Sequence, residues 1–115
     1  SAPITSHAFT FACFAYPTQS TSAGTMISVC NSANTTEYYR LDQSAANALR
    51  FRAAAGGSTN DSSSAGTFTT NAWNHAACRA ISATARNNIL NGTSSANTNN
   101  SKVPSGLNRI NIGCL

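Results

Sequence analysis

Acidic side chains are nearly missing. Glu37, Asp42 and Asp61 are the only three, against seven Lys and Arg in 115 residues. Charged residues make up 9% of the chain, where about 25% is usual. Glycoside hydrolysis needs two carboxylates flanking one bond, and three scattered acids give that chemistry little to work with. The basic groups are also too few for the dense patch that nucleic acid requires, so the pI near 9.2 reflects absent acids. No apolar run approaches the roughly 20 residues that span a bilayer, and no signal peptide is visible. No GxSxG elbow accompanies His7 or His75, which removes the usual support for a Ser-His-acid triad. Catalysis is therefore not expected, and a hydrogen-bonded structural role is the expectation for His75. Cys13, Cys30, Cys78 and Cys114 contain no CxxC pair, so a structural zinc site is not expected. Buried free thiols are preferred over one or two disulfides, whose three pairings the sequence leaves open.

What the chain does have is alternating apolar segments about ten residues apart, separated by Ser, Thr, Asn and Gly. That spacing predicts an all-β antiparallel sandwich in a single domain over residues 1–115. Residues 7–16 read as a central strand, with Phe9, Phe11 and Cys13 on one face and Thr10, Ala12 and Phe14 on the other. Residues 25–30, 73–81, 86–90, 93–98 and 109–115 read as further strands, with a short one over 67–70. Asn91-Gly92 is a type I′ hairpin signal. GGSTNDSSSAG, residues 56–66, reads as a loop. Trp73 has the largest apolar surface and is expected to nucleate the core, with Phe11, Phe14, Phe51, Leu90 and Ile112.

Residues 37–54 can form a helix from Ser44 onward, but a hairpin explains more. YYRLD and ALRFRAA joined by QSAAN, with Asp42 opposite Ala48, place Leu41 against Leu49 and Tyr39 against Phe51. The other face then gathers Tyr38, Arg40, Arg50 and Arg52, with Arg40 facing Arg50 and Tyr38 stacked under Arg52. Opposed like charges are unfavourable, so this face is the candidate contact surface for a neighbouring subunit or an acidic glycan.

The segments FTFACFAYPT, MISVCNSAN with YYRL, FTTNAWNHAACRAISATARNNILNG and PSGLNRINIG resemble the LamG-like, concanavalin A-like jelly-roll domains of bacterial surface and phage virion proteins. The resemblance implies an antiparallel sandwich that binds glycans or proteins, or builds surfaces, without catalysis. It departs from the family at Phe14, where tryptophan is usual, at Cys30 and Cys78, where glycine is, and at Asn31, often an acid. It also implies closing strands beyond residue 115, so the chain is expected to be a fragment or to have its open edge covered by a neighbour. No cofactor is expected; calcium, used by some relatives, would find only a poor site at Asp61 and Asn60. Four N-x-S/T sequons, at Asn34, Asn60, Asn91 and Asn99, are about what this composition yields by chance and carry no weight. The expected role is a structural or decoration unit of a virion or other extracellular assembly, binding copies of itself or other surface proteins. The alternative is a carbohydrate-binding adhesion module, for which only Tyr38 offers an aromatic platform in the sequence.

Overall fold

Ten strands follow one another in the computed structural model, which describes residues 3–4, 7–62, 64–99 and 101–113. They are β1 (Phe9–Ala15), β2 (Gly24–Asn31), β3 (Asn34–Gln43), β4 (Leu49–Ala55), β5 (Ser58–Asp61), β6 (Asn74–Ala80), β7 (Ala85–Leu90), β8 (Thr93–Ser94), β9 (Thr98–Asn99) and β10 (Arg109–Ile112). Two antiparallel sheets result. Sheet A runs β1-β6-β7-β8, with β9 also on β7, and sheet B runs β10-β2-β3-β4-β5. No helix occurs among the described residues. The architecture is the expected β-sandwich.

Alternation along the strands decides what fills the space between the sheets. Sheet B sends in Val29, Tyr39, Leu41, Leu49, Phe51 and Ala53; sheet A answers with Ala76, Cys78, Ala80 and Leu90. Phe68 and Leu107 close the ends from loops. Phe51 is the hub: Phe9, Phe11 and Tyr39 lie 6.2, 6.0 and 5.8 Å from its ring. Phe11 is half-buried against this cluster and Leu90 is buried in it.

Three residues expected in the core are outside it. Phe14 is 71% exposed because β1 is the edge strand of sheet A, not a central one, and only its odd-numbered face meets the other sheet. Trp73 is also 71% exposed: it precedes β6, on the outward side of the buried Asn74. Ile112 lies on the inward face of β10, with no opposing strand among the described residues to cover it, and is 84% exposed. Small alanines and a cysteine fill the inner face of β6, and the core is organised around Phe51 instead of tryptophan.

The 37–54 segment is a hairpin, displaced by one pair from the expected register. Gln43 faces Leu49, so Arg40 opposes Arg52 and Asp42 opposes Arg50. The turn chemistry explains the displacement. Ser44 Oγ accepts the Ala48 N–H at 3.1 Å, and Asn47 takes a positive φ of 60° while its side chain donates to Phe68 O at 2.8 Å. The loop is thereby closed at Ser44 and Ala48, one residue later than QSAAN suggests. Moving both strand ends by one residue keeps every side chain on its face, so the apolar and arginine faces survive.

The segment 56–66 is not all loop. Gly56 and Gly57 have φ of 60° and 79° and turn the chain directly into β5, a two-residue hairpin connection of the primed kind. Residues 67–70 contribute only an isolated bridge between Thr67 and Ala48. The return over 93–98 is broken into the short β8 and β9. Cys13, Cys30 and Cys78 are free thiols; Cys114 lies outside the described residues. Burial raises the Cys13 and Cys78 thiols above their ordinary range.

Asn91 and Gly92 adopt φ of 49° and 84° between β7 and β8, the type I′ geometry. The Asn91 N–H donates to His75 O and its Oδ1 accepts the His75 N–H, which pins the turn to the start of β6. Open space surrounds Gly92, so Gly92→Val should cost only backbone strain, about 1–2 kcal/mol. A urea midpoint unchanged from wild type would contradict this.

Candidate binding surfaces

Sheet B's outward face carries Tyr38, Arg40, Asp42, Arg50, Arg52 and Asp61, brought together from β3, β4 and β5 by the register. They form a ladder of alternating charge. Arg50 donates to both Asp42 oxygens at 2.7 and 2.9 Å, and Arg52 to both Asp61 oxygens at 2.6 and 2.8 Å. Arg40 Nε approaches Asp42 Oδ2 at 2.8 Å without the alignment of a hydrogen bond. The hydrogen bonds raise the Arg50 and Arg52 guanidinium pKa values. Burial alone would raise the Asp61 carboxyl, but Arg52 and the neighbouring arginines hold it below its ordinary value. The register replaces the expected opposition of Arg40 and Arg50 with one between Arg40 and Arg52, which Asp42 and Asp61 offset. Tyr38 stacks with Arg40, 5.2 Å from its ring, and not with Arg52.

Beside the ladder lies an open groove of about 520 Å³ lined by Cys30, Tyr38, Arg40, Arg109, Asn31 and Asn111 among others. Cys30 on β2 lines it between β3 and β10. Arg109 forms no ion pair among the described residues.

Every acid has a structural occupation. Glu37 accepts the Gly56 and Ser105 N–H groups at 2.7 and 2.8 Å, tying β3 to the β4–β5 turn and to the loop before β10. Asp42 and Asp61 hold the arginines, so the Asp61 carboxylate named above with calcium is shared with Arg52 and Arg50. No three His, Cys, Asp or Glu side chains gather as a metal site among the described residues.

Inside the sandwich, Arg86 is fully buried, and among the described residues no carboxylate pairs with it. Its guanidinium lies 4.9 Å from the Tyr39 ring and 5.8 Å from Phe51, and Nη2 donates to Ala83 O, Lys102 O and Tyr39 Oη. Burial lowers its pKa and raises that of Tyr39.

The outward face of sheet A holds what the sequence did not announce. Phe14 on β1 lies opposite His75 on β6, ring centres 5.4 Å apart. One rung further, Tyr16 and Trp73 meet edge to face at 5.5 Å. Phe14 and Trp73 are 71% exposed and Tyr16 47%. On the opposite side of the Phe14–His75 rung, Ala12 and Ala77 pair and keep the surface low. Asn74 underneath fixes the approach: its Oδ1 accepts the Thr69 N–H and its Nδ2 donates to Thr69 O and Ala72 O. The signal was present in the parity of β1, where Phe14 and Tyr16 alternate with the inward Phe11 and Cys13. Apolar residues on both faces of a strand suggest burial on both, but in a two-layer sandwich the outer face of a sheet turns away from the core.

A family model described as the concanavalin A-like lectin/glucanases superfamily matches residues 1–114. Among solved structures, domains LG4-5 of the mouse laminin alpha1 chain are similar, with a TM-score of 0.70 and 14% identity over 90% of this chain. This chain spans 26% of the length of that one, and the likeness is one of fold. A search of curated proteins finds no match.

Proposed function

The chain belongs to the concanavalin A-like lectin/glucanases superfamily, and on that premise we propose that it is a non-catalytic, extracellular carbohydrate-binding module. The observation that carries this is the exposed strip of Phe14, Tyr16 and Trp73. Pyranose rings present apolar C–H faces, and aromatic rings on a level sheet face offer them large contact area with little entropy to lose. Large exposed apolar patches on soluble domains mark interaction sites. Engagement of all three acids in structural contacts supports the non-catalytic part. The arginine ladder is not the ligand surface in this reading, since its charges are satisfied within the sheet.

Trp73→Ala should reduce retention on polysaccharide in affinity electrophoresis at least tenfold. Because the ring is largely in solvent, the melting temperature should shift by no more than a few degrees. Wild-type protein that no polysaccharide in a broad neutral panel retards, or a variant that binds equally well, would refute the assignment.

A second reading has its own observation. Ile110 and Ile112 are 57% and 84% exposed on the inward face of the edge strand β10. Such side chains suit a structural unit of a virion or other surface assembly, packed against a neighbouring subunit. Glycan binding and assembly use different surfaces here and are compatible.

A further inference from the structure

On the carbohydrate-binding reading above, on which this rests, we infer that the glycan is a mostly neutral chain bearing an occasional carboxylate, and that Arg79 holds that carboxylate.

The rungs of β1 and β6 set the layout. Outward side chains follow one another in line: Tyr16 with Trp73, then Phe14 with His75, Ala12 with Ala77, and Thr10 with Arg79. Four residues at the strand rise place Arg79 about 13 Å from the Phe14–His75 rung. The two alanines between them are too short to interrupt a chain lying along the face. A glycan stacked on the aromatic rings thus continues over a level floor, for a few sugar units, to the guanidinium.

Arg79 is exposed while its neighbours Cys78 and Ala80 are buried. Its Nε donates to Asn87 Oδ1 at 3.4 Å, and the Asn87 amide is itself held by Ser94, whose Oγ accepts from Nδ2 at 3.2 Å. That contact orients the side chain at its root. Arg79 forms no ion pair among the described residues. A guanidinium fork matches the two oxygens of a carboxylate. An open depression of about 440 Å³, lined by Thr10, Arg79 and Ile81 among others, gives that group room.

The distribution of charge decides both the sign of the ligand and its charge density. Glu37, Asp42 and Asp61 are the only acids in the chain, and they lie in β3 and β5 of sheet B. A carboxylate for Arg79 therefore comes from outside sheet A. Among the described strand residues of this face, Arg79 is also the only permanent charge. A densely sulfated or carboxylated polymer would lay negative charge along Phe14, Tyr16 and Trp73, where no such cation answers it. One guanidinium suits one carboxylate within a run of neutral sugars. A solitary exposed arginine is ordinary on a protein surface. Its alignment with the aromatic strip, on a face otherwise without fixed charge, singles this one out.

The test is calorimetric titration of the whole chain at about 0.15 M salt, where distant charges are screened. The probes are hydroxyethylcellulose, pullulan and galactomannan, each native and lightly oxidised to carboxylate at its primary hydroxyls, with heparin as the densely charged comparison. An oxidised polymer should bind roughly tenfold or more tightly than its parent, the scale of one charge-assisted hydrogen bond, and more tightly than heparin. Arg79→Gln should bring that ratio near one. Arg109→Gln removes the same charge from sheet B and should preserve it. Trp73→Ala should weaken native and oxidised forms alike, because both share the aromatic stack. Native polymers that bind with no gain on oxidation overturn the role of Arg79 and leave the carbohydrate-binding reading standing. A chain that binds none of these polymers, native or oxidised, overturns both. A gain that survives Arg79→Gln, that falls equally in Arg109→Gln or that ignores Trp73→Ala also overturns the assignment, as does heparin as the tightest ligand.

Discussion

Asp42→Asn is expected to lower the unfolding free energy by about 3–5 kcal/mol, the range seen when one partner of a buried ion pair is removed. Asp42 is 2% exposed and serves two guanidinium groups, Arg50 at 2.7 Å and Arg40 at 2.8 Å. Asparagine keeps the size but removes the charge and turns an N–H₂ toward donors that need an acceptor. Arg40 and Arg50 would then stand close together, mostly out of water, with Asp61 alone to offset them. Urea unfolding with an unchanged slope and a lower midpoint is the measurement. A loss under about 1 kcal/mol would mean the ladder behaves as an ordinary exposed set of ion pairs. Asp61, further out, gives the pH dependence. Its folded carboxyl titrates below the ordinary value, despite partial burial, because of Arg52 and its neighbours. A depressed carboxylate stabilises fully above the unfolded value, about pH 4, and the contribution disappears as pH falls through the lower folded value. Stability should therefore decline on acidification below that point, and Asp61→Asn should flatten the decline.

Arg86→Ala should be as damaging, about 3–5 kcal/mol, by opening a cavity in the middle of the sandwich. The lost side chain stacks over Tyr39 and Phe51 and satisfies the carbonyls of Ala83 and Lys102. Domains of this kind have about 5–15 kcal/mol in all, so much of the population could unfold at body temperature. Arg86→Met separates the two contributions. It restores apolar volume beside the rings and removes a charge buried without a carboxylate, a change that can be close to neutral. Met should therefore recover part of the loss, leaving what the orphaned carbonyls cost. If Met and Ala are equally destabilising by calorimetry, the effect lies wholly in the polar contacts. A loss below 1 kcal/mol for Ala would show that Arg86 is not part of the core.

The fold class, most of the strands and most of the turns were legible in the sequence. Period-two alternation reports which residues share a face, and it placed Tyr39, Leu41, Leu49 and Phe51 together and the arginines on the reverse. Asn91-Gly92 was legible because positive φ at both centres is a local demand that few residues meet. Gly56-Gly57 carried the same demand, but the Ser-rich stretch around it hid β5. What alternation does not contain is coverage. Whether a face is buried depends on how far the other sheet extends, which is fixed by strands distant in the chain. Phe14, Tyr16 and Trp73 are exposed because no described residue packs over the outer face of sheet A there, and Ile112 because β10 ends sheet B. The charge ladder is likewise a tertiary result. A turn placed one residue later in the chain, over 44–48, sets Asp42 against Arg50, and the β4–β5 pairing supplies Asp61. Local pattern chose the faces; the packing of two sheets of unequal reach decided which became core and which became surface.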